Sequence, residues 1–392
     1  MINSREVNKY PYYFLLLYAV TYMANAIYNT FFPVYLSSAG FSKTATGTLL
    51  ALGPFVAFAA QPIWGLAGDR AASKNSILKT LIIGSAAAIL LYPLSNNFLY
   101  ILAVIIVFSI FQSSIGPLSD AITLESLEPT RWKFSRIRLA GTLGFALMSV
   151  TAGIVARQNI KSIFILYFAI AMIGFFSVFL LPRVTGHQSE GNRVPIWHMF
   201  KNSELVILIA FNFIIQLTFG FYYSFFAIYY RQLGADNVML GWAMFITSTS
   251  EIPFLLFADR ILARLGIRLT LIASAFVISI RWLLLFLITD VYAILAINAT
   301  HGITFIVFSF CLTTFISRNV PKELSASGQT MNALLCMGLA RIIGSVVGGV
   351  FSDMLGIRQV FLYTSLIDLA AVFIFGIIFL IKYKKISIKN DF

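Results

Sequence analysis

Long apolar runs alternate with short polar segments along the whole chain of 392 residues. A helix needs about 20 mostly apolar residues to cross the hydrocarbon core of a bilayer, and twelve segments reach that length. They are 12–37, 44–68, 76–95, 98–124, 136–156, 161–181, 204–230, 238–260, 268–288, 291–317, 326–352 and 358–382. Barrel strands would be about 10 alternating residues long, so these runs are too long and too uniformly apolar for a β-barrel. The pattern predicts an all-α membrane protein with twelve transmembrane helices.

The longest polar stretch between two apolar runs extends from Pro182 to Ser203, near the middle of the chain. It separates six predicted helices from six others. We therefore expect an N-terminal six-helix bundle at 1–182, a central cytoplasmic loop at 183–203 and a C-terminal six-helix bundle at 204–392.

An Asp-Arg pair recurs at corresponding places in the two predicted halves. Asp69 and Arg70 end the second predicted helix, and Asp259 and Arg260 end the eighth, 190 residues later. Parallel structural repeats of this kind occur in transporters built from two halves. The repeated Asp-Arg pair favours a duplicated architecture with two helical bundles.

The composition argues against a soluble protein. Hydrophobic residues make up 59% of the chain and charged residues only 11%, whereas soluble domains carry about 25% charged residues. A net charge of +13 would suggest nucleic-acid binding in a soluble protein. Here the basic residues form short clusters between apolar runs, as in the cytoplasmic loops of membrane proteins. We expect membrane lipid around the chain and no nucleic-acid partner.

The positions of lysine and arginine predict the orientation in the membrane. Twelve spans place both termini on one side, and that side would hold 21 of the 28 basic residues. The opposite loops hold five: Lys43, Arg157, Lys161, Arg231 and Arg358. This bias predicts a multi-pass protein of the plasma (inner) membrane with both termini in the cytoplasm. The remaining two arginines, Arg281 and Arg341, fall inside predicted helices.

Several motifs identify a family. The segment Gly65-x-x-x-Asp69-Arg70, followed by Lys74, resembles the signature loop between the second and third helices of the major facilitator superfamily. Three N-terminal segments are similar to lactose permease and its relatives: 31–36, 61–62 and 135–145. Five C-terminal segments are similar to 3-phenylpropionate permease and, more distantly, to nucleoside permeases: 251–253, 280–283, 301–305, 320–324 and the glycine-rich run 338–349.

This resemblance implies alternating access, in which two six-helix bundles rock around a site near the bilayer midplane. It also implies a solute carrier, commonly coupled to protons. The first hypothesis is proton-coupled import of a small organic solute, namely an aromatic acid, a nucleoside or a sugar. An exporter or uniporter on the same scaffold is the alternative, and a non-transporting membrane sensor is a third hypothesis.

Motifs for other chemistry are missing from the sequence. There is no phosphate-binding loop of the Gly-x-x-x-x-Gly-Lys type, no nucleophile elbow and no metal-ligand cluster. We therefore expect that the chain is not an enzyme, that it carries no metal or cofactor, and that it acts as a monomer.

Ionisable residues within predicted helices are candidates for function, because each costs at least about 2.5 kcal/mol at the bilayer centre. Glu251, Arg281 and His301 are predicted at similar depths in helices eight, nine and ten, where they could bind and release a proton. A static structural ion pair is the alternative. In lactose permease the proton-carrying carboxylate lies one turn after the matching histidine. That position is Thr304 here, so Glu251 is the first candidate and His301 the second, unless coupling is absent or uses another ion.

Further residues are candidates for substrate binding. By resemblance, Asp120 and Arg138 match the acidic and basic residues that bind sugar in lactose permease, although Arg138 could be one more loop charge. Arg341 and Asp368 are predicted at matching depths, which favours a structural ion pair. Arg341 could instead face an anionic substrate. Three deeper tyrosines offer a ring and a hydroxyl to a solute: Tyr28, Tyr222 and Tyr223.

The signature loop supplies a candidate gate. An acidic group near the positive end of the next helix, with an arginine beside it, could hold the cytoplasmic face shut. Ordinary loop charge is the alternative. The residues concerned are Gly65, Asp69 and Arg70 in one half and Asp259 and Arg260 in the other.

Overall fold

The structure is a computed structural model that describes residues 10–127, 132–185, 203–320 and 328–390, with side chains as far as 381. All regular elements in these ranges are helices, and no strand occurs among them. The predicted all-α class is therefore confirmed.

Apolar helices of membrane-spanning length account for most of the described chain. Among the described residues, ten helical stretches are long and apolar enough to cross a membrane. One of them, Asn237–Leu287, has 51 residues and covers the eighth and ninth predicted segments. Gly266 divides it with a φ of 70°, a backbone conformation that glycine adopts at little cost. The first predicted segment lies on a further helix of 29 residues, Tyr10–Ser38. All twelve predicted segments lie on helices as far as they are described.

We number the α-helices in chain order. They are α1 (Tyr10–Ser38), α2 (Lys43–Arg70), α3 (Lys74–Ile89), α4 (Phe98–Gln112), α5 (Ile115–Leu127), α6 (Phe134–Gln158), α7 (Ser162–Ser177), α8 (Ser203–Gln232), α9 (Asn237–Thr249), α10 (Glu251–Leu287), α11 (Val291–Ile297), α12 (Phe305–Asn319), α13 (Arg341–Leu355) and α14 (Ile357–Asn390).

The helices group into two compact units. Unit 1 consists of Met1–Gly191 and Tyr230–Thr249, and unit 2 of Asn192–Tyr229 and Ser250–Phe392. Helix α9, which starts the eighth predicted segment, thus packs in unit 1. The predicted division at the central loop stays a prediction, and most of that loop lies outside the described residues.

Glycines allow close helix packing within unit 1. A Cβ atom on Gly144 of α6 would lie 2.6 Å from the carbonyl oxygen of Ala19 on α1. On Gly241 of α9 it would lie 2.4 Å from the carbonyl oxygen of Ser149 on α6. Side chains at these positions would push the backbones apart, so small residues are required where the helices cross.

Glycines also allow close packing of α8 against α13 in unit 2. A Cβ atom on Gly220 would lie 2.6 Å from the backbone of Arg341, and one on Gly344 would lie 2.0 Å from the carbonyl oxygen of Leu217. The hydroxyls of Ser224 and Ser345 lie 2.7 Å apart along the same contact. The backbone that carries Arg341 is therefore held tightly against α8.

Three interruptions of the α-helical backbone lie beside charged or titratable residues. Helix α9 ends at Thr249, and α10 begins with Glu251. A 3₁₀ turn, Asn298–Ile303, contains His301 and separates α11 from α12. A π-helix, Ala333–Ala340, directly precedes Arg341. Such irregular turns are frequent at functional sites. The side chains next to these three breaks are therefore candidates for a functional site.

Candidate functional site

Arg281 lies at the centre of a polar cluster in the apolar interior of unit 2. Only 1% of this residue is exposed, and its guanidinium contacts three neutral partners. Nη1 lies 2.8 Å from Nδ1 of His301. Nη2 donates to the hydroxyl of Tyr222 at 2.7 Å and to Oδ1 of Asn298 at 2.9 Å. The guanidinium also lies over the ring of Tyr222, 4.6 Å from its centroid, so one cation organises the whole cluster.

The contact with Arg281 fixes the protonation of His301. A guanidinium can only donate hydrogen bonds, so Nδ1 of the histidine must accept. The ring proton is thereby assigned to Nε2, and the imidazole is neutral. Nε2 lies 3.6 Å from Oε1 of Glu251 and 3.3 Å from the hydroxyl of Tyr223. A second proton on Nδ1 would require the Arg281 contact to break.

Glu251 completes the cluster from a different helix. Its side chain is 21% exposed, whereas that of His301 is 2% exposed. A Cβ atom on Gly302 would lie only 1.7 Å from the carbonyl oxygen of Ser250, so the 3₁₀ turn packs directly on the break before Glu251. The structure thus brings Glu251, Arg281 and His301 together, and the role in proton binding stays a prediction.

Arg341 lies beside this cluster, between two aromatic rings. Its Cζ atom is 4.9 Å from the ring centroid of Tyr223 and 5.2 Å from that of Phe305. Nε donates to Oε1 of Gln216 at 3.0 Å. Nη2 is buried and has no hydrogen-bond partner. The aromatic faces stabilise the cation, but they leave part of its hydrogen-bonding capacity unused.

The expected ion pair between Arg341 and Asp368 does not form. The fully buried Asp368 accepts through Oδ2 from the hydroxyl of Thr218 and from Nε1 of Trp282, each at 2.9 Å. Arg341 is turned towards Gln216. The prediction rested on depth alone, and depth carries no information about the direction in which a side chain points around its helix axis.

Asp120 and Arg138, the candidates for substrate binding in unit 1, form no direct ion pair among the described residues. Asp120 accepts a hydrogen bond from the hydroxyl of Tyr18 on α1, while Arg138 is exposed near the start of α6. The hydrogen-bond partner of Asp120 is thus a neutral donor on a neighbouring helix. A role of Asp120 and Arg138 in binding stays a prediction.

Tyr28 lies in an aromatic cluster of unit 1. Its ring centroid is 4.6 Å from that of Phe32 and 4.6 Å from that of Phe108, and its hydroxyl is 3.3 Å from that of Tyr92. Unlike Tyr222 and Tyr223, which join the Arg281 cluster, it contacts no charged group in these interactions.

A small cavity of about 30 Å³ lies elsewhere in unit 1. Asn25 and Gln112 line it, and their amide groups are joined by a hydrogen bond of 3.0 Å. Ser85 and Tyr167 add hydroxyls to its wall. Sequence reasoning missed this neutral polar site. Asn25 lies one helical turn before Tyr28 within an apolar helix, but one neutral polar residue does not by itself mark a site.

The candidate gate residues lie at the surface. Gly65, Asp69 and Arg70 are exposed near the end of α2. Asp259 and Arg260 are exposed on α10, with the Arg260 guanidinium near the ring of Phe257. Surface exposure is compatible with a latch and with ordinary loop charge, so the gate role stays a prediction.

An ion pair that sequence reasoning missed lies close to the signature loop. Lys74, whose side chain is 6% exposed, pairs with Glu125 of α5. The backbone amide of Lys74 donates to the carbonyl oxygen of Val184 at 2.8 Å. The side-chain amide of Asn75 donates to the carbonyl oxygen of Pro182 at 3.0 Å. The start of α3 therefore fixes both α5 and the segment that follows α7. The available signal was Lys74 itself, which belongs to the recognised motif.

Replacement of Lys74 by methionine is expected to lower the thermal stability of the purified protein. Glu125 would lose its partner, and because its side chain is 38% exposed, the loss should be about 1–3 kcal/mol rather than the larger cost of a fully buried charge. Unfolding would be followed by tryptophan fluorescence in lipid nanodiscs. The double variant with Glu125→Met should recover most of the stability, and exposed Lys161→Met serves as the matched control. Equal melting temperatures for all variants would contradict a stabilising pair.

Taken together, the fold and this site define a class of protein. Charged side chains held at breaks in membrane-spanning helices are typical of transporters, where they mark substrate and ion sites. The protein is thus a multi-pass helical transporter.

The comparison with known families agrees with this class. The model of the MFS_1 like family matches residues 10–363. The chain therefore belongs to this family, and the predicted membership of the major facilitator superfamily is confirmed.

Individual relatives are transporters of small molecules. The chain is 24% identical over 369 residues to the maltose permease of Geobacillus stearothermophilus, covering 93% of this chain and 92% of the permease. It is 21% identical over 362 residues to a probable 3-phenylpropionic acid transporter of Escherichia coli, covering 91% of this chain and 95% of that transporter. These relatives agree with the expectation that the chain is a carrier of a small-molecule substrate rather than an enzyme.

The crystal structure of the nucleoside transporter NupG shares the fold. It superimposes with a TM-score of 0.84 at 17% sequence identity, covering 94% of this chain and 98% of NupG. This similarity supports the predicted architecture.

Proposed function

We propose that this transporter imports a small organic solute together with protons, and that Glu251 binds the proton. The proposal includes residence in the plasma (inner) membrane, both termini in the cytoplasm and action as a monomer. The relatives that carry maltose or 3-phenylpropionic acid by name support a small organic solute. The single observation that carries the proton assignment is the contact of Glu251 with a histidine that Arg281 holds neutral.

The cluster offers few alternatives for the proton. Arg281 stays protonated in proteins, and Nδ1 of His301 is occupied by the Arg281 contact. Thr304, at the position of the proton-carrying carboxylate in lactose permease, donates its hydroxyl proton to the carbonyl oxygen of His301 at 2.7 Å and does not titrate in this range. Glu251 is left as the group that can gain and lose a proton without breaking the bonds around Arg281.

Protonation of Glu251 would change the electrostatics of unit 2. With Glu251 ionised, its charge balances that of Arg281 across the neutral ring of His301. With Glu251 protonated, the attraction to the Nε2–H group weakens and the cluster becomes more positive. Because Glu251 borders the break between α9 and α10, a change in its charge acts where the helix has no continuous hydrogen-bond ladder to resist movement.

The test is uptake by the purified full-length protein in proteoliposomes. Radiolabelled 3-phenylpropionate, uridine and maltose would each be offered with and without an inward proton gradient. We expect one of them to accumulate above its external concentration only with the gradient. In Glu251→Gln that accumulation should be lost, whereas exchange of internal for external solute should continue because it needs no net proton movement. Asp353→Asn, at an exposed carboxylate outside the cluster, is the matched control.

Other results would point to the alternative functions. Uptake that ignores the gradient, in wild type and Glu251→Gln alike, would indicate a uniporter. Gradient-driven loss of solute would indicate an exporter. Tight binding without flux would indicate a sensor.

A further inference from the structure

We infer that the solute is an organic monoanion and that Arg341 binds its carboxylate. The inference rests on the proposed function, because it names the substrate class of the same transport site. It starts from the incomplete coordination of the Arg341 guanidinium.

Arg341 has no anionic partner among the described residues. Its Nε group donates to the neutral side chain of Gln216, and its Nη2 group is buried without a hydrogen-bond partner. Asp368, the carboxylate that the sequence predicted as its partner, is bound by Thr218 and Trp282 instead. A guanidinium presents five N–H donors in a planar fork that fits a carboxylate with two parallel hydrogen bonds. The missing partner is therefore best supplied by a carboxylate from outside the protein.

The surroundings of Arg341 indicate what else the anion carries. The guanidinium lies between the rings of Tyr223 and Phe305. Tyr223 is 36% exposed, and Phe305 and Arg341 are both half-buried, so the ring faces can be reached. A solute with an apolar or aromatic body could pack on these rings while its carboxylate contacts the guanidinium. A sugar would offer only neutral hydroxyls to a charge that is already poorly solvated.

Arg341 is also linked to the proposed proton site. The Tyr223 ring contacts Arg341, and the Tyr223 hydroxyl lies 3.3 Å from Nε2 of His301, which in turn lies 3.6 Å from Glu251. An anion at Arg341 and a proton at Glu251 would thus be separated by two neutral side chains. Each would stabilise the other through this short path, since their charges have opposite sign.

The charge balance of this connected group fits a monoanion. Arg281 and Arg341 contribute two positive charges, and ionised Glu251 contributes one negative charge. If a monoanion and a proton bind together, the anion replaces the negative charge that Glu251 loses. The empty and the fully loaded group then carry the same net charge. A neutral solute bound with a proton would leave the loaded group one unit more positive, which costs more free energy in an apolar surrounding.

Matched pairs of acid and amide test the inference directly. The pairs are 3-phenylpropionate with 3-phenylpropanamide and benzoate with benzamide, and maltose and uridine are added as neutral solutes. Binding to the full-length protein in nanodiscs would be measured by calorimetry. Uptake into proteoliposomes would be measured at zero and at inside-negative membrane potential.

We expect at least one carboxylate to bind and its amide to bind at least about tenfold more weakly, because hydrogen bonds between charged partners contribute about 1.5–3 kcal/mol. Arg341→Gln should weaken carboxylate binding by about 10- to 100-fold and leave the amide unchanged. Arg341→Lys, which keeps the charge without the fork, should retain part of the affinity. Arg157→Gln, at an arginine whose side chain is 69% exposed, should behave as wild type. Proton-driven uptake of the acid should not depend on membrane potential.

The inference is wrong if no carboxylate in the panel binds, or if maltose or uridine is taken up and Arg341→Gln leaves that uptake unchanged. The second result, obtained with a proton gradient, would leave the proposed coupling intact. Conversely, carboxylate binding that depends on Arg341 but uptake that ignores the gradient would support the anion site and reject the coupling. If Arg341→Gln fails to fold, the comparison of acid and amide with Arg341→Lys decides.

Discussion

Replacement of Gly302 by alanine is expected to abolish measurable uptake while the protein still inserts into the membrane. The added methyl group would lie 1.7 Å from the carbonyl oxygen of Ser250, a distance that no packing can accommodate. The obstacle is backbone rather than a flexible side chain, so the 3₁₀ turn and the break before Glu251 must separate. Overpacking in a tight interior costs about 1–3 kcal/mol and sometimes more, and the displacement falls on the contact between Glu251 and His301.

The measurement is initial uptake in proteoliposomes with equal amounts of reconstituted protein, checked by size-exclusion chromatography. Gly376→Ala is the matched control, because a Cβ atom there meets nothing within 4 Å. Since α14 is helical at this position, alanine should be neutral or slightly stabilising. Wild-type uptake by Gly302→Ala would show that the turn moves freely and that its packing does not position the cluster.

Replacement of Arg281 by methionine is the second change expected to eliminate transport. Nδ1 of His301 and the hydroxyl of Tyr222 would lose the donor that Arg281 supplies, and Oδ1 of Asn298 would keep the hydrogen bond from the Tyr222 hydroxyl at 3.0 Å. A buried acceptor that loses its donor costs about 1–3 kcal/mol. The variant would also release Nδ1 of His301, which could then bind a proton of its own beside Glu251. Both consequences follow from removing one side chain that is 1% exposed.

Arg281→Lys separates these two consequences. Lysine keeps the positive charge but cannot reach three acceptors with a planar fork, so we expect a folded protein with strongly reduced uptake. Thermal unfolding in nanodiscs reports the structural cost, and uptake at several pH values reports any new proton site. A wild-type rate and pH profile in Arg281→Met would show that the cluster is not part of the transport cycle.

The membrane fold could be predicted from one variable, the length of apolar runs. That variable is reliable because a bilayer requires about 20 apolar residues per helix whatever their order. The grouping of Glu251, Arg281 and His301 could be predicted as well. Their depths were read from distances along three consecutive helices, and rise per residue converts directly into depth.

Direction around a helix axis could not be predicted. Arg341 and Asp368 were placed at matching depth, yet one points to Gln216 and the other to Trp282. A uniformly apolar membrane helix lacks the polar face that would reveal its orientation. The π-helix before Arg341 and the 3₁₀ turn around His301 change the direction of the side chains that follow them. The hydrophobic pattern of these segments does not predict either irregular turn.

Neutral partners were missed for a different reason. Asn298, Tyr18 and Gln216 complete the coordination of charged residues, but single polar residues are common in membrane helices and carry no signal of their own. Only a charged residue stands out, because its burial is costly enough to require an explanation. The sequence therefore indicated where the costly groups are, and the structure was needed to show what satisfies them.

The π-helix at Ala333–Ala340 has a consequence for how relatives are aligned. Its hydrogen bonds run from residue i to i+5 instead of i+4, so it accommodates one residue more than an α-helical turn. Relative to a continuous α-helix, everything after it is rotated by about 100°. A relative whose helix is uninterrupted at the eleventh predicted segment, 326–352, would need a one-residue gap here. An alignment without that gap would pair Arg341 with a residue on a different face and hide the equivalent of the anion site.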